Sequence, residues 1–215
     1  MSLTERMSSA IGRKAKLALN IDGDAEKIIV YGAFNLLQTI WSIIWIIIIG
    51  LLFNVLYEAL LFSIIISVLK KYSGGAHASS PSRCIVIGTA ISIGVGMLIN
   101  RYLCYLNETV LMAIGVFALG FGLLIVINRA PVDSAKKPIV NAKMKKRLKN
   151  SSIIVILIYI LLASVMLILY SIYPKIIYSR TMLCISLGVL WQSITLTITG
   201  ISFLNKVDFV LKYII

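Results

Sequence analysis

His77 is the one histidine in the chain, and Cys84 follows it by seven residues in the polar stretch from Lys70 to Cys84. An imidazole and a thiol within reach of each other make a nucleophilic catalyst. The base takes the thiol proton, the thiolate attacks a carbonyl, and the imidazolium then protonates the leaving group. Gly74-Gly75 open backbone conformations closed to other residues, and Pro81 stops a regular helix from running through the segment. One folded loop can therefore bring positions 77 and 84 together. If the chain is helical from Cys84 onward, the thiol lies near a helix N-terminus. The dipole and free N–H groups there favour a thiolate, and Arg83 beside it acts in the same sense. Against this stand two plainer readings. A lone histidine in a polar loop is usually just solvated, and a cysteine in an apolar segment usually packs as a small hydrophobe. Cys104 and Cys184 are assigned to that second role, and spacing alone leaves the choice at His77 and Cys84 open.

Other hydrolytic chemistries lack their residues. There is no HExxH, and one histidine with scattered cysteines builds no standard zinc site, so no metal or other cofactor is expected. No G-x-S-x-G elbow occurs. Asp22, Asp24, Asp133 and Asp208 all fall in loops or at helix ends, so an intramembrane aspartyl pair is not available. Three cysteines, odd in number and far apart, make no disulfide framework.

The elements that must position this loop are set by composition. Of 215 residues, 60% are hydrophobic and only 13% charged, with mean hydropathy +0.98. A soluble domain sits near 45–50% apolar and about 25% charged. A bilayer span needs roughly 20 apolar residues, so the chain is expected to be an all-α polytopic membrane protein of about six spans. The spacing predicts them at 28–49, 52–70, 84–99, 109–127, 153–170 and 182–204. The 28–69 run has no Lys or Arg and is too long for one span, so a tight hairpin is expected near Gly50, Asn54 and Glu58. All 21 Lys and Arg except Arg101, Lys175 and Arg180 fall in residues 1–27, the 70–83 loop, the 129–150 loop and the tail. The positive-inside rule then places those segments and both termini in the cytoplasm.

Residues 1–27 form a basic N-terminal segment. Leu3, Met7, Ala10, Ile11 and Ala18 share one helical face, which suits a helix lying in an anionic lipid interface. A plain basic leader fits as well. Gly88, Ser92 and Gly96, and then Ala118 and Gly122, make small-residue faces for close helix packing, within the chain or across a homodimer seam. Glu58 lies inside an apolar run, is costly in lipid and must face the interior. It orients a partner or caps the hairpin. A nucleic-acid role is not expected despite the pI near 9.8, because the basic residues flank spans.

Gly74-Gly75-Ala76-His77-Ala78-Ser79 followed by Cys84 resembles the signature of the accessory gene regulator B (AgrB) family, membrane-embedded cysteine endopeptidases of peptide quorum sensing. Weaker likeness continues at Glu26, at Tyr31-Gly32 and in Ala130-Pro131-Val132-Asp133-Ser134-Ala135-Lys136-Lys137-Pro138-Ile139. The resemblance implies one integral membrane peptidase domain over 1–215, with 70–84 as the catalytic loop and 129–150 as a basic cytoplasmic loop. It implies an AgrD-like propeptide substrate with an acidic C-terminal tail. Cys84 would be the nucleophile and His77 the base, and release of the tail would be followed by closure of a thiolactone ring. Lys136, Lys137, Lys143, Lys145, Lys146, Arg147 and Lys149 are candidates for holding the tail, although setting topology explains them equally well. Oxyanion or orienting groups are sought among Ser79, Ser80, Ser82 and Glu58. The rival class is a small peptide exporter. Against it, charges within the spans are scarce and no internal repeat is apparent.

Overall fold

The computed structural model describes residues 3–76, 78–132 and 141–214, except the side chain of Leu3. Among the described residues the chain is all-helical. Its elements are α1 (Leu3–Leu19), α2 (Gly23–Leu52), α3 (Leu56–Ser73), α4 (Pro81–Arg101), α5 (Glu108–Arg129), α6 (Ala142–Ile172), α7 (Ile176–Ile194) and α8 (Ile198–Leu211), with a short 3-10 turn at Leu103–Tyr105. Polar caps open several helices. Asp22, Asn107 and Asn141 accept from the backbone N–H groups of Ala25, Val110 and Lys143, and Pro81 takes the first position of α4.

Helices α2, α4, α5 and α6 are each long and apolar enough to cross a bilayer, and α7 with α8 makes a fifth such unit. The protein is therefore an all-α polytopic membrane protein. Between them runs α3, which packs against α2, α4, α6 and α7 and carries Glu58, Lys70 and Lys71 in eighteen residues. Its buried positions, Glu58, Ala59, Phe62, Ile65, Leu69 and Ser73, follow a helical stripe. The hairpin between α2 and α3 falls where expected. Asn54 takes φ 59°, and a Cβ at Gly50 would stand 3.1 Å from the Leu56 Cα.

Contacts fix an alternating order. Tyr57 and Glu58 of α3 meet Thr181 and Arg180 of α7 and Asn100 of α4 at one end. At the other end, Ser73 meets Val132 just after α5 and Gln192 near the end of α7. At the centre, a Cβ at Gly188 of α7 would stand 2.8 Å from Ile65 of α3, and one at Gly122 of α5 would collide with Val189 of α7. The Ala118–Gly122 face is thus used inside the bundle. Gly96 and Ser92 also pack inward on α4, whereas Gly88 faces open space.

Three expectations need correction. The segment 182–204 is not one continuous helix. Helix α7 runs from Ile176 to Ile194, and α8 leaves it at 87°. Thr195 and Thr197 hydroxyls donate back to the carbonyls of Gln192 and Ile194 at 2.7 Å, and Thr197 accepts from the Gly200 N–H at 3.1 Å. These bonds end one helix and cap the next. Secondly, the 129–150 segment is not all loop. Its second half is the first two turns of α6, where Asn141 caps a run of good helix formers. Thirdly, the 70–84 loop is shorter than expected, since α3 continues through Ser73 and α4 begins at Pro81.

At the N-terminus, α1 lies against α2 through Thr4, Ser8 and Gly12, with Lys16 paired to Glu26 at 2.8 Å. Met7, Ile11 and Leu17 remain exposed.

Candidate active site

Cys84 is the fourth residue of α4. Its N–H donates to the Ser80 carbonyl at 3.0 Å, which closes the first helical turn. Helical Cα–Cβ bonds tilt toward the N-terminus, so the thiol stands over that turn. The residue is half-buried and its sulfur forms no disulfide, nor do those of Cys104 and Cys184. The Ser80 hydroxyl does not cap the helix. The first-turn N–H groups of Ser82 and Arg83 therefore receive no hydroxyl from the cap position.

His77 lies outside the described residues. The residues on either side of it are tied down. Toward the N-terminal side, Gly74 and Gly75 adopt φ 70° and φ 120°, conformations that favour glycine. A Cβ at Gly74 would collide with the Val132 carbonyl, and one at Gly75 would stand 3.0 Å from the Thr195 hydroxyl. The Val132 N–H donates to the Ser73 carbonyl at 2.9 Å, forming a parallel bridge between the two segments. The buried Gln192 amide donates to the Ser73 hydroxyl at 3.0 Å and to the Gly74 carbonyl at 2.8 Å. Ala76 donates its N–H to the Thr195 carbonyl at 3.4 Å, and its own carbonyl accepts from Lys70 Nζ at 2.8 Å. Burial lowers the Lys70 pKa, and a Coulombic interaction with Cys84 works against that shift. Toward the C-terminal side, Ser79 donates to Asp208 of α8, and Arg83 pairs with the same aspartate.

The other candidates divide clearly. Ser79 is committed to Asp208. Ser80 and Ser82 stay at the mouth of α4, half-buried and exposed respectively. Glu58 takes no part in the loop. It sits fifteen residues before Ser73, roughly 22 Å at helical rise, accepts from Asn100 at 2.9 Å and pairs with Arg180 at 3.3 Å. Lys143, Lys145, Lys146, Arg147 and Lys149 all lie on the opening turns of α6. Lys145, Lys146 and Lys149 line a groove with Asn128, Arg129 and Pro131, next to Val132 and so next to the loop. Lys136 and Lys137 lie outside the described residues. Among the described residues no group of three or more Cys, His, Asp or Glu side chains is placed to hold a metal.

Lys70, Gln192, Thr195 and Asp208 were not legible as members of this site. Gln192 left the clearest trace, as a lone amide in an apolar run.

Comparison with known proteins agrees with the likeness carried by the loop. The family model for Accessory gene regulator B matches residues 4–196. An AgrB-like protein of Clostridium perfringens (strain SM101 / Type A) is 41% identical over 207 residues, covering 96% of this chain and 97% of that one. AgrB-like protein 2 of C. perfringens (strain 13 / Type A) is 40% identical over the same span of 207 residues. The accessory gene regulator protein B of Staphylococcus aureus (strain MRSA252) is 30% identical over 129 residues, covering 60% of this chain and 59% of that one. No solved structure matches the chain. The chain belongs to the accessory gene regulator B family, and with that membership comes a part in processing quorum-sensing peptides.

Proposed function

We propose that the protein is a cysteine endopeptidase that removes the acidic C-terminal tail of an AgrD-type propeptide and closes the remaining signal segment into a thiolactone. The observation that carries this reading is the setting of Cys84. A half-buried thiol stands over the first turn of α4, at the end of a loop tied on both sides of residue 77 and adjoining a basic groove.

His77 takes the Cys84 proton, and the sulfur attacks the scissile carbonyl. A thiolate formed there has the Lys70 ammonium nearby and the dipole of α4 beneath it. The carbonyl oxygen, now negative, is met by first-turn N–H groups of Ser82 and Arg83. The C–N bond breaks, the imidazolium protonates the departing amine, and the tail leaves. What remains is a thioester between the signal segment and Cys84. A side chain within that segment, a thiol in the thiolactone case, gives up its proton to the imidazole and attacks the thioester. The ring closes and Cys84 is regenerated as the thiol. One thioester replaces another, so the exchange is close to balanced and water must be kept out. Holding the internal nucleophile beside the acyl carbon supplies several kcal/mol of the barrier reduction.

In this reading the loop end of the bundle faces the cytoplasm, because it gathers Lys70, Lys71, Arg83, Arg129 and the α6 cations. The groove of Arg129, Lys145, Lys146 and Lys149 receives the acidic tail. The exposed Met7, Ile11 and Leu17 of α1 enter the anionic inner surface.

Mass spectrometry of the purified protein incubated with an AgrD-type propeptide tests this. The wild type should give tail, ring and a thioester adduct at Cys84. Cys84→Ala and His77→Ala should accumulate normally and give none of them. Cleavage by Cys84→Ala at the wild-type rate would falsify the mechanism. Peptide transport by that variant in vesicles would favour an exporter instead.

A further inference from the structure

The match to the family ends at Leu196, two residues before α8 begins at Ile198. Helix α8 nevertheless reaches the centre of the loop. Asp208 Oδ2 accepts from the Ser79 hydroxyl at 2.7 Å and from the Ser79 N–H at 3.3 Å. Arg83 Nη1 lies 3.3 Å from Asp208 Oδ1 and donates to the Asp208 carbonyl at 3.0 Å. The Arg83 and Asp208 side chains are each only 13% exposed, so the pair is shielded as surface pairs are not.

The placement of these contacts matters more than their number. Ser79 is two residues after His77, and Arg83 is the residue before Cys84. One carboxylate therefore grips the chain just behind the base and just ahead of the nucleophile. The other side of residue 77 is held by Lys70 and Thr195 through Ala76, so Asp208 supplies the missing half of the constraint. It also changes the part expected of Arg83. That guanidinium is paired with Asp208, and Lys70 is a second cation that interacts with Cys84.

We propose that Asp208 is a positioning residue for peptide cleavage, fixing the segment from Ser79 to Cys84 from a helix that lies beyond the part of the chain the family model matches. This rests on the Cys84–His77 reading given above. A mere anchor for α8 would affect how many molecules fold. A positioning residue affects how fast each folded molecule turns over.

The test uses the full chain in lipid vesicles with an AgrD-type propeptide. Iodoacetamide labelling of Cys84 counts competent sites, so that kcat is expressed per site. Asp208→Asn should lower kcat per site by about 10- to 100-fold, the scale of an ångström-sized misplacement, with KM within about two-fold of wild type. Asp208→Glu should recover part of the loss. The double variant Ser79→Ala/Asp208→Asn should lose no more than Asp208→Asn alone, since both act through one contact. Wild-type kcat per site in Asp208→Asn, losses that multiply in the double variant, or a drop confined to the labelled fraction would each overturn the inference. Should Asp208→Asn fail to accumulate, Ser79→Ala carries the test, because it leaves the Arg83–Asp208 pair in place. A several-fold lower kcat per site is expected there, and an unchanged one overturns the proposal. Cys84→Ala separates the two ideas. If it still cuts, the catalytic reading fails; if it is dead while Asp208→Asn is unimpaired, only the role of Asp208 fails.

Discussion

Gly74 shows how much of the site depends on the absence of a side chain. Its φ of 70° and ψ of −146° lie where residues with a Cβ are strained, at a cost of order 1–3 kcal/mol. A Cβ there would also strike the Val132 carbonyl, which belongs to the segment that Ser73 binds. Gly74→Ala should therefore break the bridge between the loop and residue 132, moving Ala76 and all that follows. Cleavage of the propeptide should fall at least 10-fold, on the scale of small misplacements of catalytic groups, while the protein still accumulates. Gly88 is the contrast. It lies within α4 with nothing near it, so Gly88→Ala should leave the cleavage rate within about two-fold and improve the helix by up to about 1 kcal/mol. Equal losses from both substitutions would mean that glycine content alone, rather than loop geometry, governs the result. The signature was legible in the sequence because glycine pairs mark unusual backbone. What the glycines approach was not, since Val132 and Thr195 come from segments far along the chain.

At the scale of elements, the same contrast recurs. Helices α2, α4 and α5 were readable because long apolar runs bounded by charge or turn residues admit one interpretation in a bilayer. The fold of residues 194–200 was not. Ile194-Thr-Leu-Thr-Ile-Thr-Gly200 reads as continuous hydropathy, and only side-chain-to-backbone bonds from Thr195 and Thr197 turn it into a corner. The opening of α6 lies outside every apolar run, so hydropathy leaves it in the loop, while its Lys, Arg, Leu and Ala content favours helix. Its helical form spaces Lys145, Lys146 and Lys149 along one side, facing Arg129 across a groove. Such a surface should act on a charged tail and not on the reacting atoms. Lys145→Glu/Lys146→Glu is expected to raise KM for the propeptide by about ten-fold or more, the effect of roughly 1.4 kcal/mol in binding, with kcat little changed. The penalty should shrink when the acidic residues of the tail are replaced by Gln, and wild-type KM should itself rise with salt. Steady-state cleavage of the two substrates at two ionic strengths reads all three effects. An unchanged KM would leave these cations with topology alone.

Taken whole, the bundle has two unlike ends. One holds the loop, the α6 cations and α8. The other holds the buried Glu58 carboxylate paired with Arg180, whose side chain is 25% exposed, and supported by Asn100. Removing Arg180 leaves that buried charge without its cation, a loss that reaches about 3–5 kcal/mol when both partners are fully buried. Arg180→Ala should therefore lower thermal stability in detergent far more than Lys175→Ala, whose side chain is exposed. The proposed orientation rests on the loop end, because helices α2 to α7 alternate and the cations gather where α3, α5 and α7 end and α4 and α6 begin. Under the positive-inside rule that end would face the cytoplasm. The exposed positions Ser82 and Tyr173 mark the two ends. In a Cys84→Ala background, a cysteine placed at Tyr173 should react with a membrane-impermeant maleimide added to intact cells. A cysteine at Ser82 should react only after the cells are opened. The reverse pattern would put the thiol of Cys84 outside, away from a propeptide that is made in the cytoplasm, and the acyl-enzyme route would have no substrate to begin from.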